Sequence, residues 1–158
     1  MPKIDLSPAA DADLPEVRRL LRAYADSLGF PLDFQDFDRE LAELPGSYAP
    51  PRGALLVARI DGTAAGCVAL RPLDEGICEL KRLYVHPERR ALGLGWLLAA
   101  AIIDEARRRG YRKIRLDTAP GMQAAHALYA RLGFRDIEPY TTNPIAGTRF
   151  MELQLDET

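Results

Sequence analysis

Cysteine is scarce in this chain. Cys67 and Cys78 are the only two in 158 residues, both in apolar, strand-like stretches and without metal-ligand spacing. A disulfide framework is therefore not expected, and both are expected as buried, reduced thiols. Histidine is equally rare: His86 and His126 have no matching carboxylate spacing and no obvious nucleophile beside them, so no metal site is expected. No apolar run approaches the roughly 20 residues of a membrane-spanning helix. Met1 to Leu6 lacks the apolar core of a signal peptide, so no membrane partner is expected and the cytoplasm is the expected location. A net charge of −2 gives no reason to expect nucleic-acid binding. What remains is ordinary for a globular chain, 47% apolar and 28% charged, long enough for a single domain over 1–158 with a sizeable core.

Charge is unevenly spread. Residues 1–50 carry ten acids against five bases, whereas 81–115 carry ten bases against three acids. The basic stretch surrounds the most informative segment, Val85-His-Pro-Glu-Arg-Arg-Ala-Leu-Gly-Leu-Gly-Trp-Leu-Leu98. An apolar strand ends at Val85, a basic turn follows, and Gly93 and Gly95 open a strongly apolar helix. Backbone N–H groups at a helix N-terminus have no intrahelical partner and carry the positive end of the macrodipole, so they suit a phosphate or pyrophosphate. The helix ends at Arg107-Arg108-Arg109-Gly110, with basic residues at the negative dipole end and a glycine to leave it. A phosphate-binding P-loop needs Lys-Ser/Thr after its second glycine, where Trp96-Leu97 stands; a dinucleotide fingerprint needs glycine at Leu98. By itself Arg90-x-x-Gly93-x-Gly95 also fits a plain helix start with two turn glycines.

Periodicity orders the elements. A short strand at 4–6 precedes a helix entered at Pro15, with Val17, Leu20, Leu21 and Tyr24 at helical spacing. That helix is expected to stop near Gly29-Phe30-Pro31, and a second, over 34–43, carries Phe34, Phe37, Leu41 and Leu44. Strands 54–60 and 63–71 flank the hairpin dipeptide Asp61-Gly62, and 77–85 completes a meander. The glycine-opened helix, a strand at 113–118, a helix at 121–132 and strands near 134–138 and 148–155 follow, the last presenting Met151, Leu153 and Leu155 on one face. The order βααβββαβαββ predicts an α+β fold, a mixed sheet of about seven strands flanked by about four helices.

Two signatures in this order resemble the GNAT N-acetyltransferase superfamily. Arg90 to Gly95 is similar to its acyl-CoA pyrophosphate loop, and Ala125-His-Ala-Leu-Tyr-Ala-Arg-Leu-Gly-Phe134 to its tyrosine helix ending in Leu-Gly-Phe. The likeness spans nearly the whole chain, strongest over 77–135 and weak before residue 50. It implies a mostly antiparallel sheet whose parallel strands 77–85 and 113–118 splay to admit acetyl-CoA. The backbone of Leu83, Tyr84 and Val85 would meet the pantetheine arm. The turn of Arg90, Ala91, Leu92, Gly93, Leu94, Gly95 and Trp96 would hold the pyrophosphate. Two departures stand out: Ala91 where the family commonly has glycine, and Met122 where it often has asparagine.

The resemblance further implies Tyr129 as the acid that protonates the leaving thiolate, although its place on the stripe Ala125, Leu128, Leu132 also suits a core residue. Glu79, Lys81 and Arg82 are costly in a central strand unless they pair or line a solvated cleft. Glu79 is the candidate base for the acceptor ammonium. Otherwise Glu79, Lys81 and Arg82 pair with one another or face solvent on an irregular strand, or Arg82, with Lys81 and Arg71, binds an acidic group of the acceptor. The 139–147 loop, with Tyr140 and Asn143, either walls the acceptor pocket or only connects strands. The implied activity is direct acetyl transfer to a primary amine of a small molecule or peptide in a ternary complex, with a homodimer allowed; the alternative is a non-catalytic acyl-CoA-binding module.

Overall fold

The computed structural model describes residues 2–28 and 36–155; Gly29, Phe30, Pro31 and Phe34 lie outside them. Its elements follow the expected order: β1 (Ile4–Pro8), α1 (Leu14–Ser27), α2 (Phe37–Glu43), β2 (Ala54–Ile60), β3 (Thr63–Asp74), β4 (Ile77–Val85), α3 (Leu94–Arg108), β5 (Lys113–Thr118), α4 (Gln123–Leu132), β6 (Arg135–Ile137) and β7 (Arg149–Gln154). The seven strands form one sheet in the order β1-β2-β3-β4-β5-β7-β6. Every neighbouring pair is antiparallel except β4 and β5.

Helices cover both faces, which is why the central strands read as nearly continuous apolar runs. Leu55, Val57, Cys67, Ala69 and Tyr84 pack toward α1 and α2, with Val17, Leu20, Leu21, Phe37 and Leu41 supplied by the helices. Leu56, Ala58, Val68, Leu70, Leu80 and Val85 point the other way, toward Leu94, Leu98, Ile102 and Ile103 of α3. Met151 and Leu155 are buried in that second core, with Leu153 against it. Cys67 and Cys78 are buried free thiols, each pushed up to about 12 by burial.

Local chemistry fixes the connections. Asp61 and Gly62 both take positive φ, 51° and 85°, as the tight turn between β2 and β3 requires. α4 ends in a Schellman motif: Gly133 turns left-handed at φ 102°, its N–H reaching Ala130 O and the Phe134 N–H reaching Tyr129 O. The Phe134 ring then lies 5.6 Å from the Tyr129 ring. The Leu-Gly-Phe sequence is thus a helix stop that also buttresses the tyrosine.

Candidate active site

The sheet opens at one place. β4 and β5 pair only through Ile77↔Lys113, Cys78↔Ile114 and Glu79↔Arg115, although β4 continues to Val85 and β5 to Thr118. Beyond Glu79 and Arg115 the strands part. On the other side of β4 the register slips between Cys67↔Tyr84 and Ala69↔Lys81, so Arg82 and Leu83 face the single residue Val68 in a β-bulge. Arg82 takes φ 60° there, a left-handed conformation that few non-glycine residues adopt. Gly66 permits the tight approach of β3: a Cβ there would stand 2.8 Å from the Tyr84 carbonyl oxygen.

Two cavities meet at the opening. The smaller, about 50 Å³, lies between the parted strands and is lined by Leu80 to Leu83, Asp117 to Ala119, Tyr24, Tyr129 and residues of the β6–β7 loop. The larger, about 230 Å³, is lined wholly by polar side chains: Asp36, Glu40, Arg71, Glu79, Lys81, Arg82, Asp117, Thr141 and Thr142. Lys81, Arg82 and Asp117 border both.

Glu79 is 2% exposed. Its Oε1 accepts from Arg71 Nε at 2.8 Å and its Oε2 from the Tyr140 hydroxyl at 2.6 Å. Burial and the adjacent Glu79 carboxylate push the Tyr140 phenol well above its ordinary range, so that proton stays on Tyr140. Tyr140 is held by Phe150, ring centroids 5.3 Å apart, and by the Arg115 guanidinium over its ring at 5.5 Å. A second tie secures the same loop: Asn143 Nδ2 donates to Asp117 Oδ2 at 3.1 Å. The 139–147 loop is therefore strapped to carboxylates on both parted strands.

The three charges of β4 find different partners. Arg82 does not pair with Glu79; its Nε and Nη2 donate to Glu40 of α2 at 2.9 and 2.8 Å. The guanidinium also lies over Phe37 and Tyr24, at 5.2 and 6.0 Å from the ring centroids. Burial opposes its charge, but the Glu40 contact outweighs that and raises its pKa further. Burial lowers the Lys81 ammonium, against the opposing pull of Glu79 and Asp117. Burial above all, with the Asp117 carboxylate adding to it, keeps the Tyr129 phenol above its ordinary range and protonated at neutral pH.

The basic turn leads away from Val85. Residues Pro87–Leu92, including Ala91, form a 3-10 turn, and Gly93 at φ 76° hands the chain to α3. A Cβ on Gly93 would meet nothing within 4 Å, so the turn is open on that side. Arg90 Nε donates to Val85 O at 2.9 Å, and its guanidinium lies 5.7 Å from the Tyr84 ring centroid. Gly95 faces α4, where Leu128 Cδ2 would stand 3.7 Å from an added Cβ. Leu94 is buried, whereas Leu92 and Trp96 are exposed, with Arg131 over the Trp96 ring at 5.2 Å. Helix-end amides, adjacent arginines and the strand opening suit a ligand with a pyrophosphate and an extended arm.

The profile of the acetyltransferase (GNAT) family matches residues 15–134. The chain belongs to the GNAT acetyltransferase family. An N-acetyltransferase of Schizosaccharomyces pombe is 44% identical over 147 residues, covering 92% of this chain and 90% of its own. Among solved structures, a GNAT-family acetyltransferase from Staphylococcus aureus superposes with TM-score 0.82 at 20% identity, over 98% of this chain and all of its own. The PaiA N-acetyltransferase of Thermoplasma acidophilum, solved with coenzyme A, gives TM-score 0.76 at 20% identity over 96% and 99%. The fold is that of GNAT enzymes, and acyl transfer is their chemistry.

Asp117 and Glu40, at this candidate site, escaped the sequence reading. Asp117 follows Arg115 in the alternation of β5, a carboxylate at the C-terminal end of a strand, but nothing local shows that the neighbouring strand has left it. Glu40 carried a clearer signal. It lies three residues after Phe37 and four before Leu44, a charge on the apolar stripe of α2.

Proposed function

We propose that the protein transfers the acetyl group of acetyl-CoA to a primary amine of a small-molecule or peptide acceptor, by direct attack in a ternary complex within one domain spanning 1–158. The observation that carries this reading is the junction of two cavities at the parted β4 and β5, with Tyr129 on one and Glu79 on the other. Acetyl-CoA supplies the activated thioester. The amides from Leu92 to Trp96, where the 3-10 turn passes through Gly93 into α3, and the Arg90 side chain are the groups suited to its pyrophosphate, and the β4 backbone at Leu83 to Val85 is suited to its arm.

Glu79 takes the proton from the acceptor ammonium, directly or through a water, so that a neutral amine attacks. The Arg71 and Tyr140 hydrogen bonds fix the orientation of its carboxylate. Tyr129, protonated at neutral pH, gives its proton to the departing thiolate. Positioning amine and thioester together in a confined space supplies much of the remaining acceleration. Direct transfer is favoured over an acyl-cysteine intermediate because both thiols are buried and pushed up to about 12.

Thermal unfolding with saturating acetyl-CoA, CoA, ATP and NAD tests the cofactor. A ligand that binds only the folded state raises its stability by mass action. The reading requires stabilisation by acetyl-CoA and CoA alone; no shift with either refutes it.

A further inference from the structure

Only three of the 21 basic residues in this chain are lysines: Lys3, Lys81 and Lys113. Lys3 is exposed, and Lys113 is partly exposed with its Nζ 3.9 Å from Glu152. Lys81 alone is buried, 8% exposed, and it lies at the opening of the sheet. The last pair across β4 and β5 is Glu79↔Arg115. Two residues on, Lys81 and Asp117 are the next positions of the same parity on the parted strands, and both border both cavities. Arginine would supply the same charge there. Lysine additionally supplies a primary amine, the nucleophile class the proposed reaction consumes, on the strand that carries the proposed base.

We propose that Lys81 is a self-acetylation site, its ε-amine receiving the acetyl group from acetyl-CoA bound in the same protein. The inference rests on the acetyl-CoA reading above. Lys81 gives one proton to Glu79, from which it passes to solvent, and the neutral amine attacks the thioester carbonyl carbon. A C–N bond forms as the C–S bond breaks. The nitrogen then loses its second proton, and Tyr129 protonates the departing thiolate and is reprotonated in turn. An alkylammonium and a thioester thus become an amide, a thiol and one released proton. The lowered affinity of buried Lys81 for its proton assists the first step. Acetylation removes one of three cations, beside Arg71 and Arg82, that face four carboxylates in the larger cavity, and it fills part of that space. The product is therefore a form with reduced turnover of added amines.

Incubation of the intact protein with acetyl-CoA, followed by intact mass and peptide mapping, tests this. The expected result is one acetyl per chain at Lys81, forming several-fold faster than any at exposed Lys3 and absent in Lys81→Arg. Tyr129→Phe slows the Lys81 adduct about 100-fold and leaves Lys3 unaffected. The mapping is done on wild-type protein, so the result does not depend on a variant folding. No adduct at Lys81 in protein that CoA stabilises overturns the inference and leaves the acetyl-CoA reading standing. Lys3 outpacing Lys81 overturns it as well, because acetylation then follows solvent exposure. Failure of CoA to stabilise the fold overturns both.

Discussion

Replacing Glu40 by alanine isolates the attachment of α2 to the β4 bulge. The Arg82 side chain is 2% exposed and Glu40 16%, so the substitution leaves a guanidinium that water barely reaches. Arginine cannot shed its proton to escape the cost. Breaking a buried ion pair from one side destabilises by about 3–5 kcal/mol. The Phe37 and Tyr24 rings face the guanidinium in both forms, so their contacts cancel in the difference. Because Glu40 itself is 16% exposed and water can enter the space it vacates, the low end of that range, about 3 kcal/mol, is expected, set against a total stability of about 5–15 kcal/mol for a typical domain. For a chain of this size each kcal/mol lowers Tm by about 2–4 °C, giving a drop of roughly 6–12 °C. Urea unfolding should show a lower midpoint at unchanged m. The double variant Glu40→Met with Arg82→Met, which removes both charges, should recover most of the loss. A Glu40→Ala loss under about 1 kcal/mol refutes the reasoning, as does a double variant no more stable than the single one.

Other perturbations separate chemistry from scaffold. Tyr129→Phe should lower kcat about 100-fold with acetyl-CoA affinity little changed, measured by thiol release against a panel of primary amines; unchanged turnover removes its role as acid. Gly93→Ala places a Cβ in open space but in a left-handed backbone, so it should cost about 1–2 kcal/mol by urea unfolding. Gly66→Ala sets a Cβ 2.8 Å from the Tyr84 carbonyl oxygen and should destabilise more, by crowding β3 against β4. The two thiols, raised from 9.0 to about 12, keep their protons in the folded chain while the unfolded chain loses them. Their contribution is therefore intact below pH 9 and is lost between pH 9 and about pH 12, at about 1.4 kcal/mol per pH unit for each thiol. Stability that does not fall in urea titrations across that window contradicts the assignment.

Element order was legible because each strand and helix announces its buried face locally. The alternation in β7, the Asp61-Gly62 turn and the Leu-Gly-Phe stop all act within a few residues. The opening of the sheet was not legible in the same way. Pairing of β4 with β5 ends after Glu79 through register, a relation between strands that neither carries alone. One trace did survive: Lys81 and Arg82 are adjacent charges in a strand, and strict alternation cannot send both to one face. The bulge at Arg82 resolves that conflict by turning its backbone left-handed toward Glu40. That partner lies 42 residues upstream, beyond the reach of any local pattern. The strapping of the 139–147 loop through Tyr140 and Asn143 was hidden for the same reason.

The short parallel seam has a mechanical consequence. Three residue pairs join β4 to β5, whereas six join β5 to β7. The sheet is thus two antiparallel plates, β1 to β4 and β5-β7-β6, fastened along a narrow line. Parting the plates breaks few hydrogen bonds in the sheet and leaves each plate's own ladder intact. In hydrogen exchange, amides of β5 at the seam should open at lower free energy than those between β2 and β3, as cooperative substructures do. A molecule threaded into the gap acts as a stitch between the plates, and its binding should slow exchange on both sides together.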